Sequence, residues 1–383
     1  MTDAVMVMAK RTPIGKIGGV LSRFEPESLL ATLIQHVISE TKLPPGMIDD
    51  VIIGNVVGPG GNLARVAALE AGLPVTVPGV TVDRQCGSGL EAINLAARLI
   101  QSGAGEIYLA GGVESTSRAP WKMQKPHSMT GTPQLYTRAR FTPDSYGDPD
   151  MGVAAENVAH AYTITREQQD SYALHSHQKA VRSRLTGRFQ QEIVPIHVDG
   201  NGISEDECPR TDTSMEKLQK LKPVFLQDGT VTAGNACPMN DGAALVLLMS
   251  GEKCKELNLQ PVLRFVDSRA AGVDPNVLGI GPVPAVRSLL ERHQLTVDDL
   301  DLVEFNEAFA SQVLASIQEL KIPLEKVNIG GGAIALGHPY GASGAILVTR
   351  LFAEMQRKPY KRGIATLGIG GGMGLATLVE AAE

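Results

Sequence analysis

The chain has 383 residues, 43% hydrophobic and 20% charged, enough for two or three domains that bury their cores without disulfide or metal staples. Thirty-five Lys and Arg against 41 Asp and Glu leave a net charge of −6, which argues against a general nucleic-acid binder and, at this hydrophobicity, against disorder. Cys86, Cys208, Cys237 and Cys254 lie far apart with no Cys-x-x-Cys pair, so neither a structural zinc site nor a disulfide framework is expected.

The chain opens MTDAVMVMAKRTPIGK, without the apolar core of a signal peptide or the Arg- and Ser-rich character of a transit sequence. No run approaches the roughly 20 apolar residues of a membrane helix. A cytoplasmic protein with no membrane partner is therefore expected. DDVIIGN (49–55) and GVTVD (79–83) read as short strands, the first of them buried. Cys86-Gly-Ser-Gly then opens a helix over GLEAINLAARLIQSG, with Leu90, Ile93, Ala97 and Ile100 along one face. EIYLAGG (106–112) is a strand ending in glycines. Residues 116–238 differ in character: PWKMQKPHSM and RFTPDSYGDPD are rich in Pro, Asp and Ser. A helix follows in ITREQQDSYALHSHQKAVRSR, with Thr165 as its cap. GAALVLLMS (242–250) reads as a buried strand returning to the first half's sheet.

The second half echoes the first. LDLVEFN (300–306) ends in Asn306 as DDVIIGN ends in Asn55, and His338 follows Asn306 by 32 residues as Cys86 follows Asn55 by 31. His338 also opens a helix, through His338-Pro-Tyr-Gly-Ala-Ser-Gly and AILVTRLFAEM, and IATLGIGGG (364–372) is again a strand ending in glycines. Two related α/β halves explain this matched order, with chance similarity of glycine-rich segments as the alternative. The expected domains are 1–115 plus 239–260, an inserted lid or loop domain at 116–238, and 261–383.

Cys86 stands before a helix N-terminus, where the macrodipole favours thiolate, the nucleophilic form, and small neighbours leave room for a substrate. The alternative is a buried structural cysteine. His338 holds the same relative place in the other half, so a pseudo-twofold would bring its imidazole to the thiol as a base. Asn306 ends a buried strand, suited to orienting a water or an oxyanion, although a turn-forming Asn reads the same way. GIGGGMG (368–374) offers unshielded backbone N–H groups to an oxyanion. It does not satisfy Gly-x-Gly-x-x-Gly, so no dinucleotide site is expected.

Taken in order, DRQCGSGLEA, GTVTAGNA, NEAFA, GHPYGASGA and GIGGGMG resemble the thiolase family of acetyl-CoA C-acyltransferases, and the resemblance spans essentially the whole chain, including MGVAAEN and REQQDSYALHSHQKA. It implies a duplicated five-layered α-β-α-β-α fold with an inserted loop domain, assembled as a dimer or tetramer. It implies a role in lipid metabolism on acyl-CoA substrates, with coenzyme A as substrate or product and no cofactor or metal. Cys86 would accept the acyl group, His338 would activate it, and Asn306 would hold a water that forms one oxyanion hole with His338. The backbone N–H groups of Cys86 and Gly370 would form the other. Arg210, in CPRTD, matches a position contacting the nucleotide end of coenzyme A. Cys237 stands where relatives carry a pocket-lining Ser and reads as lining that pocket, with a substitute thiol as the alternative; Met151 follows Asp150, which replaces a common His.

One departure bears on chemistry. Gly368 stands where the family carries a second cysteine, the acid/base of the carbon–carbon step, and glycine has no titratable group. Acyl transfer onto Cys86 needs no such thiol. The carbon–carbon step is expected to lose roughly the 10²–10⁴-fold that a positioned acid/base supplies, unless another group substitutes. Three explanations of the glycine stand open: a divergent branch to which it is native, an engineered variant, or a protein that performs only acyl transfer or hydrolysis. A catalytically degenerate coenzyme A-binding protein is the alternative from another class. A decarboxylating ketoacyl synthase fits the NEAFA and GHPYGASG motifs less well, and the order Cys, Asn, His is not that of papain-like peptidases.

Overall fold

The computed structural model describes residues 2–382. Nine strands make up the continuous path of the main sheet, in chain order β1 (Ala4–Arg11), β2 (Asp50–Gly54), β3 (Gly79–Val82), β4 (Ile107–Ser115), β5 (Asn240–Ser250), β6 (Leu263–Gly272), β7 (Leu302–Phe305), β8 (Arg362–Ile369) and β9 (Met373–Ala381). The helices that frame them are α1 (Pro26–Thr41), α2 (Leu63–Glu70), α3 (Ser88–Ser102), α4 (Met151–Ala161), α5 (Arg166–Leu185), α6 (Pro282–Arg292), α7 (Ala310–Leu320) and α8 (Tyr340–Arg357).

The strands lie in the order β7-β8-β9-β6-β1-β5-β4-β2-β3, with Gly15–Lys16 pairing beside β5. In the first half β2 runs parallel to β3 and β4, and β5 antiparallel to β4. In the second, β7 runs parallel to β8, and β9 antiparallel to β8. Within the sheet the halves are joined where β1 pairs with β6 through Val5–Arg264 and Met6–Leu263.

Burial on both faces explains the apolar runs. Ile52 on β2 packs with the central helices, while Val51 and Ile53 face the outer ones, so the strand reads as a continuous hydrophobic stretch. Helices α1 and α2 cover one outer face through Leu29, Leu33, Ala64 and Ala67. Helices α6 and α7 cover the other through Val286, Leu289, Val313 and Ile317. Between the sheets lie α3 and α8, with Leu90, Ile93 and Ala97 against Ile346, Val348 and Leu351. This is the five-layered α-β-α-β-α fold the resemblance implies.

The two central helices approach closely because glycines line their contact. A Cβ on Gly89 would stand 2.6 Å from the Gly341 carbonyl oxygen, and one on Gly344 2.5 Å from Leu90. This contact fixes the start of α3, next to Cys86, against the start of α8, next to His338.

Helix α5 is capped as expected: the Thr165 side chain accepts from the Gln168 N–H, and Gln168 returns the bond to the Thr165 N–H. A buried charge network ties this region to both halves. Arg11 of β1 donates to Glu192 at 2.8 Å and to Asp206 at 2.7 and 2.9 Å. Arg350 of α8 pairs with Glu192 and, at 2.8 Å, with Glu354, which Arg188 also holds at 2.6 Å. Among the described residues no helix is long and apolar enough to cross a membrane.

Candidate active site

Cys86 ends a tight turn between β3 and α3. Gln85, the residue before it, sits at φ 47°, a left-handed conformation a glutamine adopts only when its surroundings impose it. Asp83 Oδ1 accepts from the Gln85 N–H at 2.7 Å. Ser88 Oγ accepts from the Arg84 N–H at 2.8 Å and donates to the Gln85 carbonyl at 2.6 Å. The thiol is thereby held at a partly open position, with the main-chain N–H groups of Gly370 and of Cys86 itself directed at its sulfur. Gly370 belongs to the turn between β8 and β9, where Gly371 and Gly372 adopt φ of 89° and 82°. That turn is not unshielded as the sequence reading expects: Phe141 covers it, 2.8 Å from where a Cβ on Gly370 would stand.

The thiolate expectation is corrected here. Burial pushes the Cys86 thiol up to about 11, with the Glu114 and Asp83 charges adding to it, and the two N–H groups only partly oppose this. The macrodipole contribution is smaller than the desolvation of a thiolate in this setting.

His338 is 2% exposed, and burial lowers its pKa to about 4, so its imidazole is neutral at neutral pH. The hydrogen bonds around it assign the tautomer. The Ser343 hydroxyl donates to the Pro339 carbonyl at 2.9 Å, so its oxygen accepts from His338 Nδ1–H at 2.6 Å. Nε2 then carries the lone pair, and the Asn306 Nδ2 group approaches it at 3.4 Å. Asn240 Oδ1 accepts from the His338 N–H at 2.9 Å, anchoring the segment to β5.

Asn306 is fixed by its neighbour. Glu307 accepts from Tyr172 at 2.9 Å, Ser176 at 2.7 Å, Asn328 at 2.7 Å and the Ile334 N–H at 3.1 Å. In the first half the corresponding Asn55 spends its amide on the Val113 carbonyl and Glu114, both at 2.9 Å. One asparagine of the duplicated pair is structural; its counterpart faces the imidazole.

Cys86 and His338 share one neighbourhood through Tyr340 and Cys237, although among the described residues no hydrogen bond joins them directly. The Tyr340 ring meets the His338 ring edge-on at 5.1 Å. Burial raises the Tyr340 phenol, and negative charge on Cys237, Cys86 or Glu114 raises it further. Cys237 is held by its N–H to the Ala308 carbonyl at 3.0 Å, and Met239 bridges to His338. Met151 begins α4 beside Asp150, while Phe225 packs on Gly152 and edge-on against Phe309 at 6.2 Å.

Gly368 lies on β8, where a Cβ would meet the side-chain amide of Gln312 from α7. Gln312 is 2% exposed and its Nε2 has no hydrogen-bond partner. Arg210 is placed elsewhere. It lines a cavity of about 360 Å³ with His177, Arg182 and Thr213, and the lining includes none of Cys86, Asn306 or His338. Ser343, Asn240, Glu114, Phe141 and Gln312 were not singled out from the sequence. Ser343 alone left a trace there, in its fixed offset of five residues from His338.

Two family descriptions match almost the whole chain: thiolase, N-terminal domain, over residues 4–252, and thiolase, C-terminal domain, over residues 259–381. The chain belongs to the thiolase family. This thiolase is accordingly an acyltransferase. It is 52% identical over 382 residues to VraB of Staphylococcus epidermidis (strain RP62A), provisionally named an acetyl-CoA C-acetyltransferase, with 99% of each chain covered. VraB of Staphylococcus aureus (strain MW2) is 51% identical over 380 residues, again covering 99% of each. The crystal structure of the Bacillus anthracis acetyl-CoA acetyltransferase superposes with a TM-score of 0.92 at 42% identity, covering 100% of this chain and 99% of that one.

Proposed function

We propose that this thiolase moves acetyl and longer acyl groups between coenzyme A thioesters through an acyl-Cys86 intermediate, with coenzyme A as substrate and no cofactor. The observation that carries this reading is the bare Nε2 of His338, turned toward the Asn306 amide by the Ser343 bond. With thiol and imidazole both neutral at rest, the Cys86 proton passes to Nε2 as the sulfur attacks the thioester carbonyl. The Cys86 and Gly370 N–H groups, already directed at the sulfur, stabilise the acyl oxygen. Asn306 and His338 stabilise the second oxyanion around a water.

Coenzyme A runs from this centre past Cys237 and Met151, with Arg210 at its nucleotide end. Two guanidinium groups, Arg182 and Arg210, on one cavity support an anionic ligand there. The carbon–carbon step is slower than the acyl half-reaction because Gly368 supplies no proton. Glycine at 368 also favours a second reading, a protein limited to acyl transfer or hydrolysis, or one that only binds coenzyme A.

The protein works in the cytoplasm, in lipid metabolism, as a dimer or tetramer without a nucleic-acid or membrane partner. Assembly is supported by apolar groups left open on the 116–150 segment, where Trp121 is 91% and Met129 fully exposed, and by the edge position of β3.

The test is exchange of labelled coenzyme A into acetyl-CoA. Measurable exchange that is lost in C86A supports the reading; no exchange leaves only the binding protein.

A further inference from the structure

With glycine at 368, the step that makes or breaks a carbon–carbon bond lacks the thiol that carries its proton elsewhere in the family. Besides the thiols of Cys86 and Cys237, the site holds the acidic proton of a phenol. Tyr340 opens α8 two residues past His338, its ring edge-on to the imidazole with centroids 5.1 Å and planes 84° apart. Its place is fixed from the first half, because the next residue, Gly341, donates its N–H to buried Glu114 at 3.0 Å. Unlike His338, Tyr340 keeps part of its surface open, and among the described residues no acceptor takes its hydroxyl proton. The phenol stands near enough to Cys86 and Cys237 for charge on either sulfur to hold its proton on. Gln312, the polar side chain beside Gly368, bears an amide and cannot exchange a proton with carbon at neutral pH.

We propose that the Tyr340 hydroxyl is the proton donor of the carbon–carbon step, replacing the side chain that Gly368 lacks; this rests on the acyl-Cys86 reading. In cleavage of a 3-ketoacyl-CoA, the Cys86 sulfur bonds to the C3 carbonyl carbon and its proton moves to His338 Nε2. The charge on the C3 oxygen returns as the C2–C3 bond breaks, and that bond's electron pair leaves with C2 as the enolate of acetyl-CoA. Tyr340 gives its proton to C2 and becomes phenolate. The thiol proton of an incoming coenzyme A restores the phenol while the new thiolate takes the acyl group from Cys86, whose sulfur regains its proton from His338. Condensation is the same sequence reversed.

The decisive variant is Y340F, which removes one oxygen and keeps the ring against His338. Thiolysis of acetoacetyl-CoA and exchange of coenzyme A into acetyl-CoA are measured on one preparation of the full chain. The ratio of thiolysis to exchange falls by roughly 10²–10⁴-fold, since exchange moves no proton at carbon. In the Y340F/G368C double variant, the restored thiol recovers at least about tenfold of that loss. Deuterium wash-in at C2 of acetyl-CoA in D2O, followed by NMR, reads the same proton directly: present in the wild type and lost in Y340F. An unchanged ratio, or equal loss of both rates, overturns the proposal, the second outcome assigning the ring to positioning His338. A wild type with neither exchange nor an acyl-Cys86 adduct fails at the earlier reading and takes the proposal with it.

Discussion

Ser343 Oγ lies 2.6 Å from His338 Nδ1 and gives its own hydrogen to the Pro339 carbonyl, so the imidazole keeps its proton on Nδ1 and its lone pair on Nε2. The S343A variant frees the ring to take the other tautomer. Coenzyme A exchange then falls between about 10- and 100-fold, part of the 10²–10⁴ that a positioned base supplies. The melting temperature stays close to that of the wild type. Exchange at the wild-type rate would show that the tautomer is fixed by something other than Ser343.

The pH profile separates this site from one built on a thiolate–imidazolium pair. Burial holds His338 near 4 and Cys86 near 11, so between these values both are neutral. Exchange is therefore flat from about pH 5 to 8 and falls as pH drops toward 4, where the base becomes protonated. A limb centred near 6.5 would contradict it. Alkylation of Cys86 by iodoacetamide climbs about tenfold per pH unit from 7 to 10, because only thiolate reacts, and acetyl-CoA protects the residue.

Stability is concentrated in the buried charge network. Arg350 is 1% exposed and answers both Glu192 and Glu354. In R350M these carboxylates lose a buried partner, which costs about 3–5 kcal/mol, read as a lower midpoint of urea unfolding. A loss below about 1 kcal/mol would mean that Arg11 and Arg188 carry the network without it.

Placing a thiol at 368 meets one obstacle. In G368C the new side chain reaches the Gln312 amide, the mobile end of a long side chain that can give way. Thiolysis rises at least about tenfold while exchange changes less than about threefold, as befits a group acting only on a proton at carbon. Adding Q312A clears the space and raises thiolysis further. If thiolysis does not respond, Gly368 is not what limits the carbon–carbon step.

Much of this was readable before any coordinates. Asn55 and Asn306, with Cys86 and His338 at matched distances beyond them, announced a duplication, and the apolar runs of β2, β5 and β8 announced strands covered on both faces. What stayed hidden depends on contacts between distant segments. Asn240 anchors His338 across 98 residues, and Glu114 holds the start of α8 across 227. No local pattern signals such partners. The charge state of Cys86 was misread for a related reason: position at a helix start can be read from sequence, whereas the desolvation that outweighs it requires knowing what surrounds the sulfur. The Tyr340 motif signals no role for its side chain, since an aromatic after His-Pro reads as packing until its ring is seen edge-on to the imidazole.

The most direct measurement is peptide mass spectrometry after mixing the protein with acetyl-CoA and quenching in acid. One acetyl group on the Cys86 peptide, absent from C86S, is the predicted result. No adduct, or an adduct on Cys237 instead, would contradict it.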